Sequence, residues 1–244
     1  MTSYANRTVG NIAATQPASL RVFDRLGIDY CCGGKQSLEE ACASANVAAD
    51  KVLDMLADAA RNSAEPEKQW TAASARELIG HIVSKHHGFV RAEIPRLEKL
   101  LEKVNGKHGS AHPELSQIRE LFIALAQELQ QHLMKEENIL FPYVEQLEGA
   151  IESGKETPQA CFDSVAFPIS RMIADHDDAG ELLASIRRLS NNFALPGGAC
   201  QSYSALYQGL NEFEQDLHRH IHLENNILFP RAVELERSLA NSSS

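Results

Sequence analysis

Two segments 88 residues apart carry the same set of chemical groups. His132-Leu-Met-Lys-Glu136-Glu-Asn138-Ile-Leu-Phe-Pro142 matches His220-Ile-His-Leu-Glu224-Asn-Asn226-Ile-Leu-Phe-Pro230. In each, an imidazole and a carboxylate stand four residues apart, one turn apart on a single helix face. Helix periodicity says which face that is. Ile118, Phe122, Leu125, Leu129, His132, Glu136 and Ile139 form one stripe, and Leu206, Leu210, Phe213, Leu217, His220, Glu224 and Ile227 form its counterpart. Each His–Glu pair therefore continues an apolar stripe that is expected to face the core. One such pair is ordinarily a structural hydrogen bond. Two pairs on matching stripes put two carboxylates into one apolar interior, where they repel unless protonated or bridged by cations. That points to metal.

The other half of each repeat supplies further imidazoles. His176 stands in IADHDDAGE, and an offset of 89 maps His87 onto it. That offset also pairs Val83 with Met172, Val90 with Ala179, Ile94 with Leu183 and Leu97 with Ile186. An offset of 90, which would use His86, sets Ile94 against Ala184 and Leu97 against Arg187, so His87 is the better match. His81 lies about 120° round the helix from His87. His81 and His86 are read as non-ligands. The expected metal set is His87, His132, Glu136, His176, His220 and Glu224. If each Glu bridges two cations, each cation receives two imidazole nitrogens and two carboxylate oxygens. A solvent-derived oxo or hydroxo bridge adds a fifth ligand, and an octahedral ion keeps one open position. Imidazole with carboxylate suits iron, with manganese and zinc as competitors. No thiolate enters the set, so an iron–sulfur cluster is not implied. Glu128 and Asp216, one turn before His132 and His220, are expected to orient the ligand imidazoles. His218 and His222 are expected at the surface, and His108 and His112 fall in a loop with no assigned role.

Positioning these groups requires long helices. Helix-period segments run from about Ser74 to Val104, Pro113 to Glu148, Phe167 to Asn192 and Ala199 to Leu239, separated by NGKHGSAH, GAIESGKETPQ and ALPGG. They predict an all-α fold, an antiparallel four-helix bundle. Ser74–Glu77 reads as a capping box at the first start, and Pro113 lies at the first turn of the second segment. Ahead of them, short helical patterns cover Pro17 to Leu26, ending at Gly27, then a helix from Ser37 with a Ser37–Glu40 capping box, then Asp50 to Asn62. The polar stretch Ser63–Gln69 reads as a linker and the closing NSSS as a frayed tail. The expected domains are a small N-terminal helical domain at 1–63, a linker at 64–70 and the bundle at 71–244.

Composition excludes several classes. The 244 residues are 43% hydrophobic and 23% charged, ordinary for a globular protein, and the net charge is −10. That balance disfavours nucleic acid and anionic membrane surfaces as partners. No apolar run approaches the roughly 18–20 residues of a bilayer span, and the N-terminus lacks a signal-peptide pattern, so a cytoplasmic protein is expected. The cysteines, Cys31, Cys32, Cys42, Cys161 and Cys200, are odd in number. Cys31 and Cys32 are adjacent, which disfavours a disulfide between them. Lying before Gly33, Gly34 and Lys35, they are expected at a flexible turn, with the lysine raising their thiolate fraction.

IDYCCGGKQSL, HLMKEENILFP, HIHLENNILFP and DHDDAGEL together closely resemble the di-iron RIC (repair of iron centres) proteins of ScdA type, from Val9 to about Arg231. The resemblance implies a small N-terminal domain carrying the vicinal cysteines, followed by a hemerythrin-like bundle. It implies a non-haem di-iron centre with four His and two bridging Glu ligands, at the six positions derived above. It implies repair of iron–sulfur clusters damaged by nitric oxide or oxidative stress, by iron donation rather than conventional enzyme turnover. Cys31 and Cys32 would take part in iron transfer or redox exchange, their loop docking at the di-iron site through movement at the linker. The expected partners are damaged iron–sulfur proteins, with NO or O2 as small ligands and a homodimer left open. The alternatives are a di-iron enzyme that reduces NO or peroxide, and an O2 or NO sensor.

Overall fold

Thr8 opens the first helix by accepting the Asn11 backbone N–H on its hydroxyl, a side-chain cap that starts α1 (Val9–Thr15). This helix lies ahead of the expected ones; its Val9, Ile12 and Ala13 have helical spacing and are all buried. In the computed structural model, residue 4 and residues 7–62 and 68–242 are described. The expected linker falls largely on 63–67, outside them, as do the last two residues of the NSSS tail. Among the described residues the fold is all-α, with one isolated bridge pairing Thr8 and Ser37.

Three more short helices follow, α2 (Ser19–Leu26), α3 (Leu38–Ser44) and α4 (Ala49–Asn62). Gly27, at φ 66°, caps α2 in the left-handed region that glycine tolerates. Ser37 and Glu40 form the expected capping box, with the Glu40 backbone N–H on Ser37 Oγ and the Ser37 N–H on Glu40 Oε2. Ser74 and Glu77 make the same reciprocal pair.

The four long segments are present, but three are interrupted by a π-helical turn. The first is α5 (Ala75–His81), a π turn at Ile82–His87 and α6 (Gly88–His108). The second is α7 (Glu114–Lys135), a π turn at Glu136–Leu140 and α8 (Phe141–Ser153). The third, α9, is regular from Ala166 to Leu189, and the fourth is α10 (Gln201–Leu223), a π turn at Glu224–Leu228 and α11 (Phe229–Ser242). In the two NILFP segments the π bond runs from the N–H of Phe141 to the Glu136 carbonyl and from Phe229 to Glu224. Pro142 and Pro230 follow at once. Proline has no N–H to donate, and its ring crowds the carbonyl four residues back, so a widened turn there lets the helix continue.

The chain packs as two compact units, one of residues 1–80, 143–167 and 218–244, the other of residues 81–142 and 168–217. The second unit is a ring of four helices. α6 lies antiparallel to α7, with Ser116 donating to Asn105 at one end and His87 meeting Glu137 at the other. α6 also lies antiparallel to α10, with Phe89 near Phe213 and His108 at Cys200. α9 closes the ring through His132–Asp175 and Arg187–Glu214 contacts. Its core is built from the expected stripes, including Ile94, Leu97, Phe122, Leu125, Met172, Leu183, Leu210 and Phe213.

In the first unit, α1 packs on the last π turn and α2 on α4. Glu148 accepts the Ala75 and Arg76 backbone N–H groups at the start of α5, and Glu236 accepts the Val165 N–H and the Tyr143 and Ser164 hydroxyls. These carboxylates satisfy donors at two chain entries that would otherwise be orphaned.

Candidate metal centre

His87 ends the first π turn, His132 stands late in α7, Glu136 opens the second π turn and His176 sits in mid-α9. All four are buried. His132, Glu136 and His176 each bring a ligand atom within 4.8 Å of the others, and His87 and Glu136 do the same. The two oxygens of Glu136 face different imidazoles: Oε1 is 3.2 Å from His132 Nε2, and Oε2 is 3.5 Å from His87 Nε2. Neither oxygen has a hydrogen-bond donor, although the side chain is fully buried. The Nε2 atoms of His132 and His176 face each other at 3.0 Å.

The far sides of two of these rings are fixed. His87 Nδ1 meets Glu137 Oε1 at 2.6 Å, and Arg91 donates to the same oxygen at 2.8 Å. His132 Nδ1 meets Asp175 Oδ2 at 3.4 Å, and Lys135 and Arg171 hold that carboxylate. With Nδ1 held by a carboxylate on the outer side, Nε2 of each ring is turned inward toward Glu136. Burial pushes both carboxylates up, but the hydrogen bonds and charges of these partners outweigh it and hold each below its usual range. The expected orienting residues were others. Glu128 is exposed on α7, because it lies at the solvent edge of the stripe, whose buried member there is Leu129. Asp216 pairs with His86 Nδ1 at 3.0 Å instead of serving His220. Sequence reasoning missed Glu137 and Asp175. Glu137 is adjacent to Glu136, and Asp175 adjacent to His176, which was the only available signal.

In the other unit, α10 carries His220, whose Nε2 lies 3.0 Å from Glu224 Oε1, both buried. Cys31 and Cys32 lie in the loop after α2. Asn226, two residues beyond Glu224, donates to the carbonyls of Tyr30 (3.2 Å) and Cys31 (3.5 Å). The Tyr30 ring packs edge-on against His222, and its hydroxyl donates to Asp24, which also accepts from Arg219.

Three expectations fail here. His222 is buried rather than at the surface, because Tyr30 covers it; burial lowers its pKa to about 4 and keeps the ring neutral. The cysteine loop is not a flexible turn. Asp29 accepts the Cys31 and Gly33 backbone N–H groups, and the glycines are needed for close approach rather than for bending: a Cβ on Gly34 would lie 2.6 Å from Asn226 Oδ1. Lys35 does not activate Cys31. Its thiol hydrogen-bonds to the Cys32 sulfur at 4.0 Å, is buried, and also donates to Asp29 Oδ1 at 3.2 Å, and these effects push its pKa well up.

The donor set passes a chemical test for cations. A buried carboxylate with two donor-free oxygens is costly unless positive charge compensates it, and imidazole nitrogens, which are metal-ligating atoms, face the same space. Removing either outer carboxylate, by Glu137→Ala or Asp175→Ala, is expected to weaken iron retention about 10–100-fold at unchanged helicity. Chelator competition measures this, and retention equal to wild type would show that the rings need no outer support.

Residues 78–232 match the hemerythrin HHE cation-binding domain, and residues 5–60 match ScdA_N, a domain of unknown function. The chain is 38% identical over 236 residues to a probable iron–sulfur cluster repair protein of Haemophilus influenzae, covering 95% of this chain and 98% of the relative. It is 38% identical over 230 residues to the iron–sulfur cluster repair protein YtfE of Dickeya chrysanthemi, covering 94% and 98%. Against YtfE of Escherichia coli O81 the identity is 37% over 231 residues, covering 95% and 98%. Among the described residues, no helix is long and apolar enough to cross a membrane. The chain belongs to the iron–sulfur cluster repair family, with a hemerythrin-type cation-binding domain over residues 78–232.

Proposed function

We propose that this protein holds two iron ions on His87, His132, Glu136, His176, His220 and Glu224, and repairs iron–sulfur clusters damaged by nitric oxide or oxidants by donating iron. The observation that carries the reading is Glu136: one oxygen faces His87, the other His132, and neither has a donor. A carboxylate presented that way is suited to bridge two cations. The 88-residue repeat assigns Glu224 and His220 the matching role. Bound iron supplies a redox-active Lewis acid and is itself the cargo. Glu137 and Asp175 hold His87 and His132 in the tautomer that presents Nε2. Residues 71–244 serve as the di-iron bundle, and residues 1–63 as the domain that brings the cysteines. In this reading, Cys32 and Cys31 receive departing iron, and Asn226 keeps their loop beside the segment that bears Glu224. The protein acts in the cytoplasm on iron–sulfur proteins.

The test is anaerobic incubation of the iron-loaded protein with a cluster-damaged dehydratase, with a chelator control for free iron. Reactivation in step with iron loss from the donor is expected. Cys31→Ala with Cys32→Ala should leave iron content near wild type and slow the transfer. Catalytic consumption of NO in excess over protein would replace this reading with an enzymatic one. Tight NO or O2 binding without iron loss or reactivation would replace it with a sensor.

A further inference from the structure

Outside the metal-binding region, one nucleophile is set against a base. Cys200 directly precedes α10, and its sulfur lies 3.2 Å from Nε2 of His108, the last residue of α6. The position is built from several directions. The backbone N–H groups of Ser202 and Tyr203 at the helix start favour the thiolate, and Lys107 adds positive charge nearby. The His108 ring packs against Tyr203 with centroids 5.3 Å apart, and His112 meets the same tyrosine edge-on at 5.8 Å. The imidazole is therefore held in place beside the sulfur. The opposing charge is Glu114, which His112 engages at 3.1 Å. Cys200 is partly exposed, so a small molecule can reach it.

We propose that Cys200 and His108 form a nucleophilic thiol–imidazole pair that takes up a low-molecular-weight thiol as a mixed disulfide. The thiol proton passes to His108 Nε2. The thiolate then attacks one sulfur of a small disulfide R–S–S–R, forming Cys200–S–S–R as the S–S bond breaks. The second sulfur leaves as R–S⁻ and collects a proton from the imidazolium or from water. The co-reactant is the small disulfide itself, and excess reduced thiol reverses the step.

The other cysteines set the contrast. Cys31 and Cys42 are buried, with pKa values pushed up, whereas the bond to His108, helped by the Tyr203 N–H, lowers Cys200 to about 7. Cys161 is exposed and serves as an internal reference for simple access. A thiol with a pKa near ambient pH is the best attacking group, because a lower value costs nucleophilicity and a higher one costs thiolate.

The test uses the full-length, iron-loaded chain and glutathione disulfide as the probe, with each site followed by peptide mass spectrometry between pH 5.5 and about pH 9. Cys200 is expected to react first, with a rate that rises through an ionisation near neutral pH. His108→Ala should slow it at least about threefold at pH 7 and move the ionisation upward. His108→Gln, which keeps a polar group but cannot carry the proton, should behave like the alanine variant at native helicity. Cys200 reacting no faster than Cys161, or a pH profile unmoved in both His108 variants, would overturn the proposal.

Discussion

Glu136→Leu is expected to strip iron from the protein and at the same time to make the metal-free chain more stable. The two effects have one origin. Glu136 is fully buried, and neither oxygen has a hydrogen-bond donor. The imidazoles at 3.2 and 3.5 Å approach it without making that bond. Without metal, the carboxylate has lost water and gained nothing equivalent, which costs about 1–3 kcal/mol for a buried unsatisfied group. Leucine removes that cost while filling similar space, so denaturation of the metal-free variant should give a stability higher by about 1–3 kcal/mol. With iron present the order reverses, because the variant has lost the carboxylate suited to bridging. Its iron content should fall below about half of the wild-type value. A leucine variant that keeps its iron would remove Glu136 from the ligand set. One that loses iron and is also less stable without metal would mean that the carboxylate supports the fold directly.

Gly10→Ala and Gly34→Ala should each loosen the cysteine loop from the helix that bears His220. A Cβ on Gly10 would lie 2.8 Å from the Gly34 carbonyl oxygen as well as against Asn226, and one on Gly34 would lie 2.8 Å from the Tyr30 carbonyl oxygen. Backbone atoms cannot rotate away as a side chain can, so the loop itself must shift. The shift breaks the Gly10 N–H bond to Gly34 and disturbs the Asn226 bonds to Tyr30 and Cys31. A cost of about 1–3 kcal/mol per substitution is expected, with faster proteolysis around residue 30. Gly80 and Gly149 provide the control. Both are helical with open space around the missing Cβ, so alanine there should be neutral or stabilise by up to about 1 kcal/mol. Equal behaviour of all four variants would show that the loop is not pinned by close approach.

Much of this architecture was legible in residue order. The capping boxes at Ser37 and Ser74, the end of α2 at Gly27 and the four long segments follow from local rules that need few distant contacts. The apolar stripes located the buried His132, Glu136, His220 and Glu224, and the offset of the repeat added the buried His87 and His176. The stripe failed one turn later. Ile139 is 46% exposed, and Leu140, Val144 and Leu147 are buried in its place. The π turn inserts a residue there and rotates everything after it, which a uniform 3.6-residue period cannot register. Pro142 and Pro230, ending both NILFP runs, were the visible trace of that irregularity.

Sequence by itself determined the helical class, the duplicated His–Glu chemistry and the burial of the six candidate ligands, because periodicity and repetition are properties of residue order. Tertiary structure alone decided what surrounds them. Asn138 and Asn226 occupy the same place in the repeat, yet Asn138 turns back to the Met134 carbonyl beside its π turn, whereas Asn226 reaches the Tyr30 carbonyl 196 residues away. Asp216 matched a position expected to orient His220, yet it pairs with His86, and Asp175 from another helix holds His132. Hydrogen-bonding groups on a helix surface are satisfied by whatever the neighbouring helix or loop presents, and that neighbour is fixed by packing rather than by spacing along the chain.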